Sequence, residues 1–162
     1  MISIRPAGPA DADVLLDLID ALADYEKLQR PDRSARERLL RDGFGEQPLF
    51  RAYLGELDGA PVAYAITYRA YSSFLALPTL FLEDLFVLPN ARGQGVGGAL
   101  FRHLVGEAVR DDCGRMEWVV LDWNRVAIDF YERLGAQRLT EWYTYRLTRE
   151  RMIALIDDQA AG

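Results

Sequence analysis

The run Leu88-Pro89-Asn90-Ala91-Arg92-Gly93-Gln94-Gly95-Val96-Gly97-Gly98 restricts the fold more than any other stretch of this chain. Upstream of it, Thr79 to Leu88 is apolar enough for a strand, which Pro89 stops because proline has no N–H for a sheet ladder. Downstream, Leu100, Phe101, Leu104, Val105 and Ala108 recur at the spacing of one buried helix face. Glycines at a strand-to-helix junction let backbone N–H groups converge on an anion, and the helix N-terminus adds positive potential. A phosphate or pyrophosphate is the expected ligand; a glycine-rich loop without a ligand is the plain alternative. Gly93, Gly95 and Gly98 also satisfy G-x-G-x-x-G, with Asp122 placed where a ribose-binding acid would stand. Yet Pro89 to Arg92 separate those glycines from the strand, and the preceding strands read as antiparallel, unlike a dinucleotide fold. No Lys-Ser/Thr pair follows, which excludes a P-loop.

The rest of the chain supplies the frame. Ile2 to Arg5 reads as a first strand, and Val14, Leu15, Leu18, Ile19 and Leu22 mark a helix beginning at Asp11. Ser34 with Glu37 suggests a capping box for a second helix that stops near Gly43. Phe50 to Leu57, the turn Asp58-Gly59, and Val62 to Tyr71 form a hairpin pattern. Past the glycine run, Met116 to Leu121 is an apolar strand, and Asn124 to Leu134 is a helix that Gly135 ends. Arg138 to Leu147 reads as a final strand, Thr148 as the cap of a last helix, and the residues from Asp157 as a tail. Hairpin-linked strands followed by βαβ units predict an α/β (α+β mixed) fold, a mixed, mostly antiparallel sheet with helices on both faces. With 162 residues and neither repeat nor linker, 1–162 is expected to be one domain.

Charge and composition narrow the partners. The net charge of −6 repels phosphate backbones, so nucleic acid is not expected and a small cationic substrate suits the field better. No apolar run reaches the roughly 20 residues of a membrane span, and the first residues lack a signal-peptide pattern. One cysteine, Cys113, excludes an intramolecular disulfide and a multi-cysteine metal site; no metal is expected, and the cytoplasm is the default compartment. The lone histidine, His103, has no second histidine for a metal or triad and reads as structural.

Val87 to Gly97 resembles motif A of the GNAT superfamily of N-acetyltransferases, with its R/Q-x-x-G-x-G/A core. Asn124-Arg125-Val126-Ala127-Ile128-Asp129-Phe130-Tyr131-Glu132-Arg133-Leu134-Gly135-Ala136 resembles their motif B. Ile4 to Ala7, Ala23 to Glu26, Leu40 to Gly45 and Leu82 to Val87 extend the resemblance to the diamine (spermidine/spermine) acetyltransferases and their thialysine-acetylating relatives. The resemblance implies the GNAT fold, acetyl-CoA as co-substrate, a small amine acceptor and a homodimer. It also implies coenzyme contacts at Leu85, Phe86, Val87, Arg92, Gly93, Gln94, Gly95, Val96, Gly97, Gly98, Asn124, Ala127 and Tyr131.

Acetyl transfer to an amine needs a proton removed from the ammonium and one supplied to the thiolate. Glu83, set among Leu80, Phe81, Leu82, Leu85 and Phe86, is the candidate base, directly or through water. Apolar neighbours would raise its pKa; a half-buried structural carboxylate is the alternative. Strand alternation would turn its neighbour Asp84 to the opposite sheet face. Tyr131 lies on the apolar stripe of its helix, where a core role is the commoner reading; the resemblance assigns it the acid. Tyr25, Glu26, Glu83, Asp84 and Trp118 are expected on the substrate side, although Trp118 could equally pack in the sheet. Asn124 could cap its helix, contact the coenzyme, or do both, and Arg92 could hold phosphate or brace its loop. Cys113 lacks a histidine partner for a covalent acetyl intermediate, so direct attack in a ternary complex is expected. Glu141-Trp142-Tyr143-Thr144-Tyr145 holds a single acid, which leaves a short amine such as thialysine as open as a long polyamine. An amino acid, an amino-sugar or a protein N-terminus as acceptor, and a coenzyme-binding regulatory module without turnover, are the competing functions.

Overall fold

The computed structural model describes residues 1–160, which divide into two compact units, the first from Met1 to Val119 and the second from Val120 onward. In the first unit the strands β1 (Ile2–Pro6), β2 (Arg51–Leu57), β3 (Ala60–Ser72), β4 (Leu77–Val87) and β5 (Arg115–Glu117) form one sheet in that spatial order. Pairs β1–β2, β2–β3 and β3–β4 are antiparallel, whereas β4–β5 is parallel, giving the expected mixed sheet. Asp58 and Gly59 both take positive φ, 53° and 82°, at the two-residue β2–β3 turn. That geometry matches the right-handed strand twist, and it is why Asp-Gly signals a hairpin.

Helices cover both faces. α1 (Ala12–Glu26) packs Leu15 and Leu18 on Ala52, Leu54, Tyr64, Ile66 and Phe86. α3 (Val96–Arg110) covers the other face with Val96, Leu100, Phe101, Leu104 and Ala108. It comes so close at its start that a Cβ on Gly55 would lie 3.0 Å from Val96 Cγ1. Leu15, Leu54, Leu100 and Leu104 are fully buried, each contributing about 1.5–3 kcal/mol of transfer free energy. α2 (Arg33–Phe44) is tied to α1 by Arg36, which donates to both oxygens of Asp20 at 2.6 Å. Its N-cap is Asp32, whose carboxylate accepts from the Ala35 N–H at 2.8 Å, rather than the expected Ser34. An aspartate two positions earlier claims the same orphan donors, and Ser34 donates to it instead.

The second unit holds α4 (Arg125–Arg133) and α5 (Arg149–Ala160). Asn124 caps α4 by accepting from Ala127 N–H at 3.2 Å, and Gly135, at φ +87°, closes it. Thr148 accepts from the Arg151 N–H at the start of α5, as expected. The tail expected from Asp157 begins inside that helix, and its last two positions lie outside the described residues. Two strand expectations are corrected. β5 ends at Glu117 instead of Leu121, and Arg138 to Leu147 forms no strand, with Trp142, Tyr143 and Tyr145 75–90% exposed. β-propensity measures fit to a paired, half-buried surface, and among the described residues no strand pairs with 118–121 or with 138–147.

Candidate active site

The glycine run folds as a short helical turn, Pro89–Ala91, followed by Gly93 (φ +75°) and Gly95 (φ +88°), which opens α3. Only glycine takes those dihedrals without strain. No side chain caps α3, no acidic residue sits in its first turn, and Gly93, Gln94 and Gly95 are exposed. Helix-start N–H groups left in this way face solvent as donors with the positive dipole end behind them. Gly97 brings the turn against the end of β4, where an added Cβ would be 3.3 Å from Val87 Cγ2. The cradle fits an extended phosphate ligand. Arg92 braces it: its Nε donates to the Val87 carbonyl at 3.0 Å, and its guanidinium lies 4.4 Å from the Tyr25 ring centre. Gln94 donates to the Asn90 carbonyl, and Val96 is buried beneath the turn.

On β4 the register with β3 slips by one residue. Ile66 pairs with Asp84 and Thr67 with Leu82, so Glu83 is an extra residue, a β-bulge. Alternation stops there: Leu82 and Asp84, two positions apart, fall on opposite faces. Asp84 lies on the α1 face, half-buried, and Tyr64 donates its hydroxyl to Asp84 Oδ2 at 3.1 Å. Burial pushes the Asp84 carboxyl up to about 6, Tyr64 opposes the rise, and the charges of Glu83 and Glu26 add to it. Glu26, at the end of α1, is itself raised by burial. Glu83 is exposed, and its charge acts on Tyr64, Tyr68 and Asp84. Alternation along β4 is thus interrupted between Glu83 and Asp84. The bulge leaves both in one field with Glu26, and burial raises the carboxyls of Asp84 and Glu26.

Beyond Phe81, β5 no longer pairs with β4. The β4 edge through Leu85, Phe86 and Val87 thus carries no second strand among the described residues, and its polar backbone groups on that side have no ladder partner. Phe86 is buried at the centre of the α1 face, its ring 6.1 Å from Tyr25 and 6.4 Å from Tyr64.

Within the first unit, Trp118, Cys113 and His103 lie away from Asp84. Trp118 meets Phe101 of α3 edge-on at 5.4 Å, on the α3 side of the sheet, whereas Asp84 lies on the α1 side. Cys113 follows the C-terminal end of α3, its N–H bonded to the Ala108 carbonyl, roughly 20 Å of helix away from the glycine turn. His103 stacks edge-on against Tyr53 at 5.2 Å and lies 3.8 Å from Glu107. In the second unit Tyr131 is half-buried on α4, its ring 5.2 Å from Phe130. Sequence reasoning missed Tyr64. The available signal was a phenol at an inward strand position of β3, facing a strand that carries two adjacent acids.

Residues 15–136 match the model of the acetyltransferase (GNAT) family, a span that runs from α1 through the glycine turn and the bulge to α4. A thialysine N-epsilon-acetyltransferase of Bos taurus is 37% identical over 93% of this chain and 95% of its own length. A human spermidine/spermine N(1)-acetyltransferase-like protein 1 is 31% identical over 93% of this chain, which covers 23% of that longer protein. Among solved structures, an integron cassette protein from the mobile metagenome of V. cholerae superposes with a TM-score of 0.80 at 22% identity, covering 96% of this chain and 97% of that one. A glycine cradle at a strand-to-helix junction, a bulged acidic strand beside it, and a family model spanning both lead to one conclusion: the chain belongs to the acetyltransferase (GNAT) family and is an acetyl-transferring enzyme.

Proposed function

We propose that the chain moves an acetyl group from acetyl-CoA to a primary amine of a small cationic acceptor, thialysine- or lysine-like or a polyamine, by direct attack in a ternary complex. The observation that carries the acceptor is the shared field of Glu26, Glu83 and Asp84 around the Tyr64 hydroxyl. Three carboxylates so placed repel one another and raise the cost of burying Asp84, a cost that a bound ammonium offsets. The names of the relatives, acting on thialysine and on spermidine or spermine, support the same class.

In this reading Gly93 to Gly98 hold the coenzyme pyrophosphate on the open α3 N-terminus, and the β4 edge at Leu85, Phe86 and Val87 receives the pantetheine arm. Asn124, Ala127 and Tyr131 are the contacts that the family resemblance assigns on α4. Acetyl-CoA, when bound, supplies an activated thioester. Glu83, at the exposed bulge, takes the proton from the acceptor ammonium. Asp84 and Glu26 hold the cation, and Tyr131 gives a proton to the departing thiolate. The distance of Cys113 from the glycine turn supports direct transfer over an acetyl-cysteine. We further read both units as one acetyltransferase domain, acting in the cytoplasm as a homodimer.

The test is turnover with acetyl-CoA against thialysine, lysine, putrescine, spermidine and an aminoglycoside. Turnover highest with a diamine or lysine-like acceptor is expected. Turnover confined to the aminoglycoside, or coenzyme binding without turnover on any amine, overturns the reading.

A further inference from the structure

We propose that Tyr64 is a positioning residue for the acceptor: its hydroxyl holds one oxygen of Asp84 and leaves the other for the substrate ammonium. This rests on the acceptor reading above. Tyr64 is fully buried in the core between α1 and the sheet, and its hydroxyl donates to Asp84 Oδ2 at 3.1 Å. Asp84 pairs with Ile66 in the ladder next to the bulged Glu83, so its backbone is fixed and the Tyr64 hydroxyl sets the direction of its carboxylate. The phenol donates without adding charge. It stabilises the ionised form of Asp84 while leaving its negative charge available to a cation. Among the described residues, the charged and titratable groups that act on Asp84 are Tyr64 on β3, Glu83 on β4 and Glu26 on α1. None of them is a cation, and the guanidinium on this face, Arg92, lies over the Tyr25 and Phe86 rings; an acceptor ammonium would give Asp84 a positive partner. Tyr64 also touches the other half of the site, because its ring meets Phe86, which meets Tyr25 under Arg92, the residue that braces the glycine turn.

Tyr64→Phe removes only the hydroxyl. Three results are expected: KM for the amine rises about tenfold or more, a loss of the size of one hydrogen bond to a charged group; KM for acetyl-CoA stays unchanged; and the acidic limb of the kcat/KM profile moves to higher pH, because Asp84 loses the bond that favours its charged form. In an Asp84→Asn background the same substitution should have no further effect on the amine KM, since Tyr64 acts through Asp84. Carbon-detected NMR titration of Asp84 supplies a readout independent of any substrate, with its midpoint rising in Tyr64→Phe. An unmoved Asp84 midpoint overturns the proposal, as does an amine KM effect that persists undiminished in Asp84→Asn. A raised midpoint in a protein that acetylates no amine upholds the Tyr64–Asp84 coupling, overturns the role in acceptor binding, and locates the failure in the acceptor reading.

Discussion

Glu83 and Asp84 are adjacent acids on one strand, and a single inserted residue decides what each can do. The bulge exposes Glu83 and turns Asp84 toward the buried face beneath α1, where loss of water raises its pKa to about 6. A carboxyl whose folded pKa exceeds its unfolded value of about 3.9 favours the folded state while protonated. That contribution is complete below the unfolded pKa and is lost as pH rises through the folded one. At pH 8 the wild-type enzyme therefore carries an ionised Asp84 that costs on the order of 3 kcal/mol. Asp84→Asn removes the charge, and its amide oxygen can still accept from Tyr64. We expect its melting temperature at pH 8 to equal or exceed that of the wild type, measured by calorimetry, while its amine KM rises at least about tenfold through loss of a buried charge partner. A lower melting temperature at pH 8 would show that the carboxylate stabilises the fold and would undo the assignment of Asp84 as a strained cation site. Tyr131→Phe belongs to the same scale. It should lower kcat by about a hundredfold, the usual yield of a positioned acid, with coenzyme affinity unchanged in a direct binding titration; full activity would remove Tyr131 from proton transfer.

At the level of elements, the junction of β4, the glycine turn and α3 does what its residues advertise. Pro89 ends the strand, Gly93 and Gly95 take positive φ, and α3 starts with neither a side-chain cap nor an acid. Gly95→Ala forces a Cβ into a left-handed backbone, costing roughly 1–2 kcal/mol and disturbing the N–H cradle. Gly59→Ala is the matched control, since Gly59 has a similar φ of +82° in the β2–β3 turn, on another part of the sheet. Both variants should lose comparable stability in denaturant titrations, yet only Gly95→Ala should raise KM for acetyl-CoA. Equal coenzyme effects would mean that the cradle is not the phosphate site. These local features were legible in the sequence because turn chemistry, caps and helix stripes depend on neighbours a few residues apart. The bulge was not, because register is a property of two strands: nothing in Leu82-Glu83-Asp84-Leu85 states that Thr67 pairs with Leu82 and Ile66 with Asp84. The partnership of Tyr64 with Asp84 was hidden for the same reason, being set by pairing across 20 residues. The aromatic stretch Trp142 to Tyr145 shows the converse error, since strand-forming residues make a strand only when another strand pairs with them.

Across the whole molecule two ionic devices set opposite slopes of stability with pH. Arg5 joins Asp11 through two hydrogen bonds of 2.7 and 2.8 Å and Glu56 through a third of 2.8 Å, tying β1 to β2 and to the start of α1. The Arg5 guanidinium and the Gly8 N–H hold the Asp11 carboxyl down at about 2. A depressed carboxyl gives its stabilisation above the unfolded pKa and loses it as pH falls toward the folded one, so this link weakens between about pH 4 and pH 2. Asp84 acts in the other direction, and its contribution disappears as pH climbs through about 6. The net charge of −6 at pH 7 adds self-repulsion on that alkaline side. Stability should therefore peak at about pH 4 and decline toward about pH 6, with the maximum below neutrality and close to the sequence pI of about 4.8. Thermal scans at low protein concentration, which limits association near the pI, would trace the dome. Asp84→Asn should flatten its alkaline flank, whereas Arg5→Gln should lower its acidic flank least at pH 2, where Asp11 is already being protonated, and most above pH 4. A wild-type maximum at pH 8, unchanged by Asp84→Asn, would mean that the ionised Asp84 carries no uncompensated cost in the free enzyme. The raised, cation-seeking carboxylate would then lose its thermodynamic basis, and with it the reason for the acidic bulge to select an amine.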